Sequence, residues 1–159
     1  MKERRQLRRR DNRPESDYEQ KILDLARVTR VTKGGKHLRF RACLVLGDKK
    51  GSAGYAVSKG ADVAIAVNKA AKKAKKDIIK ISLVNETIPH EVRTKFGAAK
   101  ILIKPAPKGT GIKAGGAMRI IFELAGVPNV VGKILGSKSK INNTKATFEA
   151  LKSLTLKKK

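Results

Sequence analysis

The sequence predicts an α+β protein of two small domains, the first running β-β-β-α and the second β-β-α-β-α. Three observations carry this. Apolar and polar side chains alternate along Leu38–Leu46, with Leu38, Phe40, Ala42, Leu44 and Leu46 on one side of an extended strand and Arg39 and Arg41 on the other. Helical spacing replaces that period of two after Asp62, and again in two later segments. Between the units, KISLVNETIPH (80–90) changes the composition, and Asn85 and Pro89 mark a boundary. A chain of 159 residues is long enough for two such units with a real core.

Taken in order, residues 1–17 form a basic arm. The first thirteen hold seven basic and two acidic side chains, a net of +5, and almost nothing apolar, which predicts a disordered segment lying along phosphates or simply solvated. Ser16 and Glu19 resemble a helix capping box, but Leu23, Leu25, Arg27, Thr29 and Val31 alternate and run into a glycine pair, which favours a strand over about 22–32. The first domain is read as 18–84. Two basic turns flank its central strand, Lys33-Gly34-Gly35-Lys36 and Gly47-Asp48-Lys49-Lys50-Gly51, and a third strand covers Ser52–Ser58. Glycines there permit close approach of backbone to a ligand and lysines add charge; the bland alternative is a hairpin with solvated lysines. Asp62 is the expected N-cap of a helix reaching Ile78, with Val63, Val67, Ala70, Ala74 and Ile78 as its apolar stripe and Lys69, Lys72, Lys73 and Lys76 opposite.

The second domain is read as 85–155. Strands are expected over Thr87–Lys95 and Ala99–Lys104, followed by the stiff Lys104-Pro-Ala-Pro-Lys108 segment. The loop Gly109–Gly116 opens a helix through Met118–Ala125, which Gly126 and then Pro128 stop. A β-branched strand spans Asn129–Leu135, a last helix Lys140–Leu154, and residues 156–159 are a basic tail.

Charge narrows the function. Lys and Arg number 38 against 13 Asp and Glu, a formal +25, which points to a polyanionic partner. Aromatics are only 4% with no Trp, so base stacking on aromatic platforms is disfavoured and recognition of backbone and shape in a folded nucleic acid is favoured. The single cysteine, Cys43, is expected as a small buried hydrophobe. No run of about 18 apolar residues is present to span a bilayer, and no apolar segment follows Met1, which together predict a cytoplasmic protein without a membrane partner. His37 and His90 are far apart, carboxylates are scattered, and no metal-ligand spacing occurs, so neither catalysis, a metal nor a cofactor is expected. His37 reads as a hydrogen-bond donor to phosphate. Gly109–Gly116 resembles a phosphate-cradling turn at a helix start but lacks a Walker ending, leaving three readings: a nucleotide site, a contact with backbone phosphate or protein, or tight packing alone.

At that loop the chain resembles a known family. Gly109-Thr-Gly-Ile-Lys-Ala-Gly-Gly-Ala-Met-Arg119, then Glu123-Leu-Ala-Gly-Val127 and Gly136-Ser137, are similar to the C-terminal half of bacterial small-subunit ribosomal protein S-five. Arg30-Val-Thr-Lys33-Gly-Gly-Lys36, Val45-Leu-Gly-Asp48, Lys49-Lys-Gly51 and Thr87-Ile-Pro-His90 resemble its first half, so the likeness covers about 22–154. It implies a double-stranded-RNA-binding-like first domain and a ribosomal "domain two-like" sandwich as the second. It implies binding to small-subunit ribosomal RNA, contacts with ribosomal proteins S-four and S-eight, a position near the mRNA entry path, a role in subunit assembly and decoding accuracy, and no small-molecule substrate. The family turn corresponds to Lys33, Gly34, Gly35 and Lys36, and Gly111 and Arg119 lie in the segment placed toward S-four. The combined reading assigns RNA contact to Arg30, Lys33, Gly34, Gly35, Lys36, His37, Arg39, Arg41, Lys49, Lys50, Lys59, Lys69, Lys72 and Lys73, and protein contact to Gly109, Gly111, Gly115, Gly116 and Arg119. The chain departs from the family at Ala56 and Ser58, where glycines are common, at Lys140, where proline is usual, and at Asn143, Thr144 and Lys145. Two other readings stay open, a small phosphotransferase using Gly109–Gly116 and a free duplex-RNA-binding regulator.

Overall fold

A computed structural model describes residues 18–154; the expected arm and tail lie outside them. Eleven elements occur among the described residues. The first unit holds β1 (Glu19–Thr32), β2 (Gly35–Gly47), β3 (Ser52–Gly60), α1 (Val63–Ala74) and β4 (Ile79–Lys80). The second holds β5 (Val92–Phe96), β6 (Ala99–Pro105), β7 (Ile112–Lys113), α2 (Gly116–Ala125), β8 (Val130–Ile134) and α3 (Lys140–Lys152). The sheets are ordered β1-β2-β3-β4 and β5-β6-β8-β7, with only β7 and β8 parallel. Two short strands, β4 and β7, were not expected from the sequence. Two-residue pairings carry no periodicity, and β4 begins where the helical stripe was read through Ile78 although α1 stops at Ala74. The strand read as Thr87–Lys95 begins only at Val92. Thr87 instead uses its hydroxyl to donate to the Asn129 carbonyl (2.7 Å) and to accept from the Ala106 amide (3.1 Å).

The period of two in β2 is real, but both of its faces are covered. Leu44 and Leu46 pack with Ala56 against Ala70 and Ala74 of α1, while Cys43 and Val45 face the second unit and join a core with Leu124, Phe122 and Phe148. Sequence alternation suggested one wet face, and only the distal half of β2 has one. Small residues set the distance to α1: a Cβ on Gly54 would lie 2.6 Å from the Ala74 carbonyl oxygen. That packing also accounts for Ala56 and Ser58, both buried under α1 rather than offered to a ligand. Asp62 caps α1 as expected, accepting from the Val63 amide at 2.7 Å.

A β-bulge in β1 sets which side chains meet the second unit. Ile22 pairs with Leu44 but Asp24 with Cys43, leaving Leu23 as the extra residue, buried in the shared core. Helices α2 and α3 lie between the two sheets, and α1 covers the outer face of the first. The layers are thus α1, first sheet, α2 with α3, second sheet.

The units are docked through backbone. The Lys49 and Gly51 amides donate to the Leu124 and Ala125 carbonyls at the end of α2, both at 2.9 Å. Gly126, left-handed at φ 73, ends that helix, and an added Cβ there would sit 2.1 Å from the Lys49 carbonyl oxygen. Tyr55 and Phe148 stack across the same junction with ring centroids 4.4 Å apart. The buried Cys43 thiol lies here too, pushed up to about 11 by burial and then by the Asp24 carboxylate.

Candidate nucleic-acid interface

Pairing of β2 with β3 ends at Phe40 and Gly60, whereas pairing with β1 continues for five more rows to Thr32 and Gly35. At about 3.4 Å per residue, a two-stranded ribbon therefore projects about 17 Å beyond the sheet. Its tip is the Lys33-Gly34 loop. Gly35 has φ 129, Thr32 donates its hydroxyl to the Gly35 carbonyl at 3.2 Å, and Cβ atoms built on Gly34 or Gly35 would meet nothing within 4 Å. The backbone at this tip is open to a close approach, with Lys33 and Lys36 exposed beside it.

The register sorts the ribbon's side chains. Arg30 opposes His37, Val28 opposes Arg39, and Arg41 opposes both Ala26 and Lys59. These residues share the face that, further along β2, carries Cys43. Together Val28, Arg30, Thr32, His37, Arg39 and Lys59 line a cleft of about 530 Å³. Among the described residues no carboxylate pairs with Arg30, Arg39 or Lys59. The acid of this face is Asp24, and it is taken: Arg41 holds it at 3.3 Å and Lys140 at 3.9 Å. Arg41 is half-buried, its Nε is enclosed without a hydrogen-bond partner, and its guanidinium is engaged by Asp24 rather than free. Lys140 stands at the first turn of α3, where the expected family proline would also fit, and ties that helix to the same acid.

The structure does not bring all the expected contacts together. The two basic turns sit at opposite ends of β2, about 40 Å apart for twelve residue steps. The Gly47–Gly51 turn makes a close backbone approach to α2. Lys49, at φ 57, pairs with Glu19, and Lys50 remains exposed. Partial burial would raise the Asp48 carboxyl, but the Lys50 and Ser52 amides donating at 2.7 and 2.8 Å hold it below its ordinary value. Lys69, Lys72 and Lys73 are exposed on α1, across the first sheet from the cleft. The expected RNA residues thus form a ribbon-and-cleft group and two separate sets.

The glycine loop has its own anchor. Asn129, 5% exposed, accepts from the Gly111 amide at 3.1 Å and donates to the Glu86 carbonyl at 3.4 Å. Sequence reasoning made Asn129 only the start of a strand, because its partners lie 18 and 43 residues away. Gly109 and Gly111 adopt positive φ, Gly115 caps α2, and Gly116 is exposed at its start. Arg119 is exposed and held by Glu123 at 2.9 Å, and Glu123 also receives Lys21 at 3.6 Å. The Arg119 hydrogen bond holds the Glu123 carboxyl below the usual range, against slight burial that would raise it and with the nearby Lys21 charge assisting. The phosphotransferase alternative would need an acid at the loop, yet Glu123 is eight residues past the cap, about 12 Å along the helix, and already paired. Among the described residues no three His, Cys, Asp or Glu side chains gather into a group able to hold a metal.

Residues 18–82 match the family model "Ribosomal protein S5, N-terminal domain", and residues 94–159 match "Ribosomal protein S5, C-terminal domain". This chain belongs to the ribosomal protein S5 family. Both domains of the family are present in order, on the α+β architecture of two sheets and three helices seen among the described residues. The S5 family is a structural family of the small ribosomal subunit, associated with the ribosome and its RNA. No helix among the described residues is long and apolar enough to cross a membrane. The basic ribbon and cleft fall in the N-terminal domain, and the glycine loop and Arg119 in the C-terminal one.

Proposed function

We propose that this S5 chain binds small-subunit ribosomal RNA chiefly through the ribbon tip and the cleft behind it. The observation that carries the proposal is the placement of Arg30, His37, Arg39 and Lys59 in one cleft, beside an open Lys33-Gly34 tip, without neutralising carboxylates among the described residues. Lysine and arginine contacts release counterions from the phosphates, so binding should weaken steeply with salt. The glycines let the tip lie against the RNA backbone, and the rigid ribbon holds the register of contact. Lys69, Lys72, Lys73 and Lys50 add charge on other sides. Gly109, Gly111, Gly115, Gly116 and Arg119 face ribosomal protein S-four, and S-eight is a second neighbour. In this reading the protein stands near the mRNA entry path and supports subunit assembly and decoding accuracy, acting without catalysis, cofactor or small-molecule substrate in the cytoplasm.

The test is binding of the purified chain to small-subunit ribosomal RNA across a salt series, with Lys33→Ala/Lys36→Ala as the variant. Loss of two phosphate contacts should flatten the logarithmic salt slope by up to about 1.8 while the melting curve stays put. An unchanged slope would remove the ribbon tip from the interface.

A further inference from the structure

The second sheet has a face that neither the fold's interior nor the ribbon uses. Helices α2 and α3 cover its inner side, where Ile101, Ile103 and Val130 are buried. On the outer side the register places cations in rows. Arg93 lies opposite Leu102 and Leu102 opposite Lys133; Lys95 lies directly opposite Lys100; Lys104 lies opposite Val131, and Val131 opposite Lys113. All six basic residues are exposed. Arg93 and Lys104 share Glu91, at 3.1 and 3.2 Å, leaving Lys95, Lys100, Lys113 and Lys133 without a carboxylate partner among the described residues.

Two features separate this array from an ordinary solvated surface. Like charges directly opposite on adjacent strands destabilise a sheet, so the Lys95 and Lys100 pair is unfavourable to the isolated protein. Strands about 4.8 Å apart with same-face residues about 6.8 Å apart also root the six cations as a grid on one twisted surface whose four strands span roughly 15 Å. A polyanion with regularly spaced charge neutralises such a grid; a single carboxylate side chain does not.

We propose that the outer face of the second sheet is a second RNA-docking surface, taking the phosphate backbone of a folded RNA segment different from the one held by the ribbon. It offers no aromatic platform among its outward residues, since Phe96 is turned inward under Lys145, whose Nζ lies 4.8 Å from the ring centroid. Stacking of single-stranded bases is therefore not its mode, and backbone contact is. The layer order sets this face on the far side of α2 and α3 from the first sheet, so the chain braces two RNA segments across its own thickness. The inference rests on the RNA-binding reading above.

The experiment separates the two. Lys95→Gln/Lys100→Gln/Lys133→Gln keeps the side-chain stems and removes three charges from solvent-exposed positions. Its binding to small-subunit ribosomal RNA is compared, over 50–200 mM salt, with wild type and with Lys33→Ala/Lys36→Ala. Loss of three phosphate contacts lowers the salt slope by up to about 2.7. The triple variant's deficit should then change up to about 40-fold across that salt range, being greatest at low salt, with a thermal melt at or above that of wild type. A wild-type slope in the triple variant, alongside a reduced slope in the ribbon variant, overturns the second surface and leaves the ribbon reading standing. Salt-independent, non-selective binding by wild type overturns the RNA reading itself. If the triple variant binds RNA as wild type does but no longer joins reconstituted subunits with their proteins, the partner is a protein and the proposal fails. Should the triple variant melt early, the single changes Lys100→Gln and Lys133→Gln decide: each should lower the slope by up to about 0.9, and wild-type slopes in both overturn the second surface.

Discussion

Gly126→Ala tests whether the two sheets are held as one body. An alanine at φ 73 costs about 1–2 kcal/mol for the left-handed backbone alone. Its Cβ would also lie 2.1 Å from the Lys49 carbonyl oxygen, more than 1 Å inside ordinary contact. Neither partner is a flexible side-chain end, so the strand turn and the helix end must separate. That movement breaks the two amide-to-carbonyl bonds at 2.9 Å, from Lys49 to Leu124 and from Gly51 to Ala125, at about 1 kcal/mol each. The expected loss is about 3–4 kcal/mol, a large share of a domain's stability. Gly97→Ala supplies the control: φ is 56, yet the nearest atom to its added Cβ is the Asn142 Nδ2 at 4.0 Å, so only the backbone cost of about 1–2 kcal/mol applies. Urea unfolding followed by far-ultraviolet circular dichroism and by tyrosine emission reads both, since Tyr55 sits at the junction. Wild type should unfold in one transition with coincident probes, because Cys43, Val45, Phe122 and Phe148 share one core. Equal losses in the two variants would refute the docking argument.

Two further outcomes follow from titratable groups at the same junction. Because the folded fold holds the Asp48 carboxyl below its ordinary 3.8, its contribution is full above that value and is lost as pH falls through the lower folded one. Asp48→Asn should therefore cost about 1 kcal/mol at pH 7, less than the roughly 1.5–3 kcal/mol of a buried charged hydrogen bond because the site is partly wet, and converge with wild type as acid protonates Asp48; an offset constant from pH 7 to pH 2 would refute the linkage. Cys43, raised from 9.0 to about 11, holds about 100-fold less thiolate at pH 8 than an unshifted thiol, and it is also buried. A thiol reagent should label the native chain only as fast as it unfolds, and immediate stoichiometric labelling would contradict the packing of β2.

The elements with strong local signals were legible in the sequence: the alternation of β2, the Asp62 cap, and Gly126 followed by Pro128 closing α2. The strand reading of β1 prevailed over a helix because its alternation ran into the Gly34-Gly35 turn. What stayed hidden was relational. Nothing local to Cys43 and Val45 states that their face meets a second domain rather than water, since Arg39 and Arg41 continue the same face with charge. The bulge at Leu23 and the two-residue strands β4 and β7 depend on partners distant in sequence, and the burial of Asn143, Thr144 and Thr147 depends on how α3 docks. The two threonines bond the carbonyls of Lys140 and Asn143 four residues back, and the Asn143 amide reaches Ser137, which lets these polar side chains be buried beside Phe148 and Leu151. Within the candidate site, the ribbon tip was readable as Lys-Gly-Gly-Lys, but the cleft required the register that sets Arg30 against His37. The dual use of glycine misled at Gly47–Gly51: the close approach is real, and its object is α2.

That last point bears on how a protein with so high a charge stays folded while serving RNA. Cations gathered on one surface repel, and an excess of this size destabilises a compact state. Here the acids lie where they relieve the repulsion at joints: Asp24 between Arg41 and Lys140, Glu123 between Arg119 and Lys21, Glu19 beside Lys49. Apart from Arg119 with Glu123, which lie one turn apart on α2, each of these pairs links separate segments within or between the two units. The cleft and much of the outer grid receive no such relief among the described residues, and on the RNA-binding reading proposed above their charge is balanced when phosphate arrives. Stability of the free protein and affinity for RNA are therefore opposed at the ribbon and the grid but aligned at the junction. Neutralising a cation in the first group should leave the chain at least as stable and bind worse, while neutralising an acid at the junction should weaken the frame that spaces the two surfaces.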